Sequence, residues 1–242
     1  MQGGPPRQSP AMGTAPRRFK RHNEIQNLDV AQLLVATVGA LAIGVVYHFL
    51  PDTLWPIPSW VLLLVEAALL APLLIAAFFV QRALPYWLAR GLALTLLGVV
   101  TLAELGALAL LLVQLLAPPA GQRPAFPNGK FLLRPAALLW CMNVLVAAFF
   151  YWELDGGGPR KRWRSQHKAA DYLFPQQAGG NPTGWAPGFV DYLFLAFCFA
   201  TALSPADTPP LTPRAKLLMI AEAAVSMLII VLLIARSVNI LS

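Results

Sequence analysis

Apolar residues in this chain come in long unbroken runs, not in the alternating or three-to-four spacing of half-buried strands and amphipathic helices. The runs cover 30–50, 60–80, 91–116, 131–152, 188–203 and 213–241. Each gap holds helix breakers: PDTLWPIP at 51–58, Pro85, PPAGQRPAFPNG at 118–129, GGGP at 156–159 and SPADTPP at 204–210. A backbone in hydrocarbon must satisfy its own polar groups, so about 20 apolar residues read as a helix crossing roughly 30 Å of lipid. Five runs meet that length. The run 188–203 has 16 residues and reaches only about 24 Å as a helix, so it either crosses by tilting or stops partway and re-enters. The pattern predicts an all-α polytopic membrane helix bundle of about six hydrophobic segments, with the fifth short and a candidate for re-entry. It divides into a flexible basic tail over 1–28, three transmembrane helices over 29–130 and a second helical module over 131–242.

Composition agrees with a lipid solvent: 57% of residues are hydrophobic and 12% charged, where a water-soluble domain has about 25% charged. The net charge of +7 does not point to nucleic acid, because the basic residues sit in the tail and the connections, as they do beside membrane helices. Cys141 and Cys198 lie inside apolar runs, and His22, His48 and His167 are scattered without metal spacing. No phosphate loop, nucleophile triad or paired-carboxylate motif is present, so neither an enzyme, a cofactor nor a metal centre is expected. PRRFKR at 16–21 lacks the spacing of a twin-arginine signal and reads as a basic tail before the first helix.

Orientation follows from the basic residues of the short connections, which stay on the cytoplasmic side. With the N-terminus inside, that side holds five in the tail, then Arg82 and Arg90, then Arg160, Lys161, Arg162, Arg164 and Lys168, twelve in all. The other side holds Arg123, Lys130 and Arg134.

From residue 188 a short apolar stretch, GFVDYLFLAFCFATAL, is followed by a breaker-rich loop and a full-length helix opened by Thr212 as N-cap and Pro213. Asp207, Thr208, Pro210, Thr212 and Pro213 occupy the places of the Asp and Pro-x-Thr-Pro stretch that follows the filter of bacterial two-helix potassium channels. Glu222 and ARSVN at 235–239 match their inner helix, Ser226 stands where a hinge glycine often lies, Ala215 and Lys216 replace a Gly-Arg pair, and YWELDGGGP at 151–159 matches the end of their outer helix. Residues 131–242 therefore resemble the pore-loop and inner-helix module of that family. The whole chain also resembles an uncharacterised bacterial family of multi-pass membrane proteins, which implies the cytoplasmic membrane. The filter itself is replaced: Ala202, Leu203, Ser204, Pro205, Ala206 and Asp207 stand where Thr-Val-Gly-Tyr-Gly-Asp would. Without the two glycines, and with Pro205 lacking an amide, neither a stacked carbonyl filter nor potassium selectivity is expected.

Glu66, Glu104 and Glu222 lie within apolar runs, and an ionisable group there costs about 2.5–3.5 kcal/mol on insertion scales. Each is a candidate for function, or for interhelical hydrogen bonding or pairing with Arg134 or Arg236. The expected path for a monovalent cation runs past Thr201, Ser204, Asp207, Glu222 and Ser226 in an oligomer, a tetramer if it is channel-like. A non-conducting accessory or scaffold protein is the alternative, and a transporter the third reading. Ala36, Ala40 and Gly44 form a small-residue stripe, and Asn143 is expected to be interhelical glue. DYLF occurs at 171–174 and again at 191–194, too short for a repeat. A conflict remains at this level. If 188–203 spans, the charge count holds but the pore loop becomes a hairpin; if it re-enters from outside, the basic tail must lie outside.

Overall fold

The computed structural model describes residues 37–39, 41–50, 59–75, 85–116, 130–201 and 207–241. Among them the chain is all-helical, and its one ladder contact is an isolated antiparallel bridge between Tyr172 and Pro210. Helix α1 covers Thr37–His48, α2 Ser59–Ile75, α3 Tyr86–Leu116, α4 Lys130–Leu154, α5 Pro159–Arg164, α6 Phe189–Thr201 and α7 Pro213–Leu241. Three stretches are long and apolar enough to cross a membrane: Tyr86–Leu115, Leu133–Arg164 and Pro213–Ile234. These lie on the expected third, fourth and sixth segments. The expected first and second segments run partly through 30–36, 40 and 76–80, which lie outside the described residues, as do the tail before residue 37 and Ser204.

Helix α6 is apolar, and its described residues number 13, about 20 Å of helix against roughly 30 Å of hydrocarbon. Asp191 closes its first turn by accepting the Gly188 N–H at 2.7 Å, so the helix has a defined start.

Antiparallel packing on α4 orders the bundle. Tyr86 and Arg90 at the start of α3 reach the Gly157 carbonyl just beyond the C-terminal end of α4. Ala107, Leu108 and Leu111 of α3 pack with Ala136 and Leu139 near the α4 start. Helix α1 runs the same way as α3: Gly39 faces the Phe149 ring, while Phe49 lies under the Arg134 guanidinium at 5.9 Å. Phe189, the first residue of α6, stacks on Phe149 and Trp152, and Phe197 meets Trp140 two turns deeper. Tyr151 and Asn143 of α4 contact Glu222 and Ser226 of α7 in that order. Helices α1, α3, α6 and α7 thus all begin at the α4 C-terminal end, here called the loop end because 155–188 lies there.

One topological fact follows. The chain leaves the loop end at Phe189, descends through α6, and is back at the loop end by Pro210, which bridges to Tyr172. Leu173 N–H donates to the Pro209 carbonyl at 3.2 Å, and Leu211 N–H to the Asp171 carbonyl at 2.7 Å. Eight residues lie between Thr201 and Pro210, of which 202–206 lie outside the described residues; a chain of that length can span about 30 Å when extended.

Candidate functional site

Two polar assemblies stand out, one at the loop end and one inside the bundle. The loop end begins where α4 stops. Gly156, Gly157 and Gly158 take φ of 58°, 88° and 96°, the left-handed region that only glycine enters freely. The run GGG therefore turns the chain sharply over the end of α4 and aims the 155–171 strap back across it. Within that turn the Gly156 N–H donates to Asp171 Oδ2 at 2.8 Å, and the Asp171 N–H donates to Asp155 Oδ1 at 2.8 Å. Asp155 also accepts the Tyr192 hydroxyl at 2.6 Å, which ties α6 to α4. Arg162 is 3% exposed; it donates to the Trp152 and Asp155 carbonyls at 2.6 and 2.7 Å and lies 5.1 Å over the Tyr192 ring. These carbonyls lie at the C-terminal end of α4 and just beyond it, where a cation complements the helix dipole.

Asp171 is the hub. Its carboxylate accepts from Thr212 Oγ1 at 2.6 Å and from Arg214 Nε at 2.6 Å and Nη2 at 2.5 Å. Burial by itself would raise its pKa, but the hydrogen bonds from Arg214, Thr212 and Gly156 outweigh it and hold the carboxyl below the ordinary carboxylate range. The Tyr172 hydroxyl beside it is pushed up by burial and by the neighbouring carboxylates. The His167 imidazole is pushed down by burial and by Arg162.

The second assembly lies between α3, α4 and α7. Tyr151 donates its hydroxyl to Glu222 Oε2. Asn143 Nδ2 donates to the Glu222 carbonyl at 3.1 Å and to Ser226 Oγ at 2.7 Å. Glu104 of α3 lies one turn from Leu108, which packs in one cluster with Val225 and Ile229 of α7, so Glu104 is set beside the Glu222 stretch and its carboxyl acts on that of Glu222. The side chains of Glu104, Asn143, Tyr151, Glu222 and Ser226 are all buried. A line of rings joins the two assemblies: Tyr151 to Tyr172 at 5.2 Å between centroids, Tyr172 to Tyr192 at 6.3 Å, and Phe174 to Tyr192 at 5.3 Å. The two DYLF stretches, too short to read as a repeat, are thus spatial neighbours.

The residues singled out in the sequence part company here. Glu222 and Ser226 come together with Asn143 and face α4 inside the subunit, and Glu104 joins them. Thr201 turns its hydroxyl back to the Phe197 and Cys198 carbonyls of its own helix. Asp207 is exposed at the loop end, and Ser204 lies outside the described residues. Glu66 is buried between α1 and α2, its carboxyl against Gly44. Asp155, Asp171 and Arg162 are not legible in the sequence as a site, because Asp155 before GGGP and Asp171 in a polar connection read as turn residues and Arg162 reads as part of a basic flank. The available signal was GGG after Asp155 together with the Arg214 at the start of a membrane helix. No family model, curated protein or solved structure matches the chain. Fold and site define a helical protein with three helices suited to a membrane, a short apolar helix beside them, and a buried carboxyl seam.

Proposed function

We propose that this is an integral membrane protein of cation permeation, built on a re-entrant half-helix. The observation that supports it most is the shared starting end of α6 and α7: a helix whose described residues fall short of a crossing, followed by a return to the same end and a full span. Non-helical chain at membrane depth is tolerated only where protein or water shields it, and re-entrant segments with that layout line ion paths. This is also the layout of the potassium-channel module that residues 131–242 resemble, with the filter replaced. Glu222, 4% exposed on the span that follows the return, supplies a carboxyl such as ion paths use.

The same geometry offers a way out of the orientation conflict. Arg90, Arg160, Lys161, Arg162, Arg164 and Lys168 all belong to the loop end, and Arg134 to the other. By the positive-inside rule the loop end is cytoplasmic, and α6 re-enters from the cytoplasm. The charge count and re-entry are then both satisfied, with the module inverted relative to a potassium channel.

Purified protein reconstituted in liposomes tests the reading. Flux of protons, sodium or potassium is expected, reduced by Glu222→Gln and by Asp207→Asn. Absence of flux for all three cations across pH and voltage would overturn it. A second reading, a non-conducting scaffold, is favoured by one observation: Asn143, Ser226 and the Glu222 carbonyl close their hydrogen bonds within a single subunit.

A further inference from the structure

Glu104 and Glu222 present more acceptors than the bundle supplies donors. They are 2% and 4% exposed, and each keeps its Oε1 without a hydrogen-bond partner among the described residues. Tyr151 serves Glu222 Oε2 alone. The Asn143 amide is committed to the Glu222 carbonyl and Ser226 Oγ. Among the described residues the groups that act on Glu222 are Tyr151 from α4 and Glu104 from α3, with Tyr172 of the loop acted on by Glu222 in turn, and no lysine, arginine or histidine is among them. From α6 no ionisable group reaches them.

Two carboxyls in a low-dielectric interior, without a cation beside them, are short of positive charge and of hydrogen-bond donors at once. A proton on the pair supplies both. A metal ion fits poorly, since it takes four to eight ligands and no group of three or more metal-ligating side chains exists among the described residues.

We propose that the cation taken up by this seam is a proton, bound between Glu104 and Glu222. Toward the loop end the pair is walled by Tyr151, whose ring packs on that of Tyr172 at 5.2 Å between centroids. The physiological role rests on the permeation reading; the site chemistry does not.

Full-length protein in lipid nanodiscs is labelled with dicyclohexylcarbodiimide over a range of pH, and each glutamate is quantified by peptide mass spectrometry. The reagent adds to a protonated carboxyl in apolar surroundings: the acid proton passes to a nitrogen, the carboxyl oxygen bonds to the central carbon, and acyl migration leaves a stable N-acylurea. Glu66, buried with both carboxyl oxygens unpartnered among the described residues, is the internal reference. Glu222 is expected to label, with a pH midpoint that Glu104→Gln moves by about tenfold or more in proton concentration while the Glu66 profile stays in place. Three results each overturn the site: no label at Glu104 or Glu222 where Glu66 labels; a Glu222 midpoint indifferent to Glu104→Gln; or protection by sodium but not by choline at equal ionic strength, which makes the pair a metal-cation site. No step needs flux, so silent liposomes with coupled labelling would remove the permeation reading and leave the proton site standing.

Discussion

Asp171 and Arg214, 43 residues apart, form a two-pronged ion pair in which Nε and Nη2 meet the two carboxylate oxygens at 2.6 and 2.5 Å. Paired donors of this kind fix orientation as well as distance. The pair holds the start of α7 against the strap that covers α4, and Asp155 and Tyr192 extend the clamp to α6. Three helices that only pack in parallel or antiparallel fashion are thereby given a common register at one end. The partners differ in exposure, 2% for Asp171 and 58% for Arg214, so the carboxylate is the group that cannot find water if the pair is broken.

That asymmetry predicts unequal variants. Arg214→Ala leaves the enclosed Asp171 carboxylate without its cation and is expected to cost about 2–3 kcal/mol. Asp171→Asn is expected to cost about 1 kcal/mol, since the exposed Arg214 guanidinium it leaves behind finds solvent. Thermal unfolding of the detergent-solubilised protein ranks them, and equal losses would contradict the assignment of Asp171 as hub.

Acid sensitivity follows from the same carboxylate. The folded-state pKa of Asp171 lies below its ordinary 3.8, so its stabilisation is fully present above that value and is lost as pH falls through the folded value. Wild-type protein is expected to lose melting temperature on acidification below about pH 4 more steeply than Asp171→Asn. Parallel curves in that window would show that the pair does not couple folding to protons.

The GGG turn makes a local prediction. An alanine at 156 must hold φ of 58°, and its Cβ would meet Arg162 Cγ at 2.9 Å and Ala170 Cβ at 3.0 Å. Gly179 also has a positive φ, 76°, but nothing lies within 4 Å of an added Cβ. Gly156→Ala is therefore expected to cost more than Gly179→Ala, which carries only the backbone strain of about 1 kcal/mol. Differential scanning fluorimetry on the two variants compares them directly.

Much of the helical frame was legible because lipid writes it in composition: the runs 91–116, 131–152 and 213–241 coincide with helices Tyr86–Leu116, Lys130–Leu154 and Pro213–Leu241. The short length of 188–203 was legible for the same reason. What escaped was anything that depends on which ends meet. Gly44 was readable as a close-packing position, but not that Glu66 is what approaches it. Glu222 and Ser226 shared a helix face by spacing alone, yet spacing could not say that Asn143 and Tyr151 would meet them. Asp155 and Asp171 sit among glycine, proline and basic residues, where a carboxylate most often faces water, and only the fold shows them enclosed.

The α4–α7 seam can be measured by a double-mutant cycle. Asn143→Ala and Ser226→Ala each break the 2.7 Å hydrogen bond, and interhelical hydrogen bonds in membranes average about 0.6 kcal/mol with a maximum near 1.7. The coupling energy between the two substitutions is expected in that range. Strict additivity would mean that the pair is not formed in the bilayer.

The most far-reaching prediction concerns sides of the membrane. Asp171 and Leu211 are joined by a backbone hydrogen bond of 2.7 Å, so the residues before α6 and those before α7 share one face. Ser165 and Asp207 are both exposed and serve as reporters once Cys141 and Cys198 have been replaced by alanine. A membrane-impermeant maleimide is expected to label Ser165→Cys and Asp207→Cys from the same side in sealed vesicles, and from the cytoplasmic side if the basic residues set orientation. A spanning α6 demands the opposite, because a single crossing between 165 and 207 puts the two cysteines on opposite faces. Labelling of one from each side would therefore abolish re-entry, and with it the structural basis for a permeation path beside α7. Labelling of both from outside would keep re-entry and overturn only the orientation, placing the half-helix where a potassium channel has it.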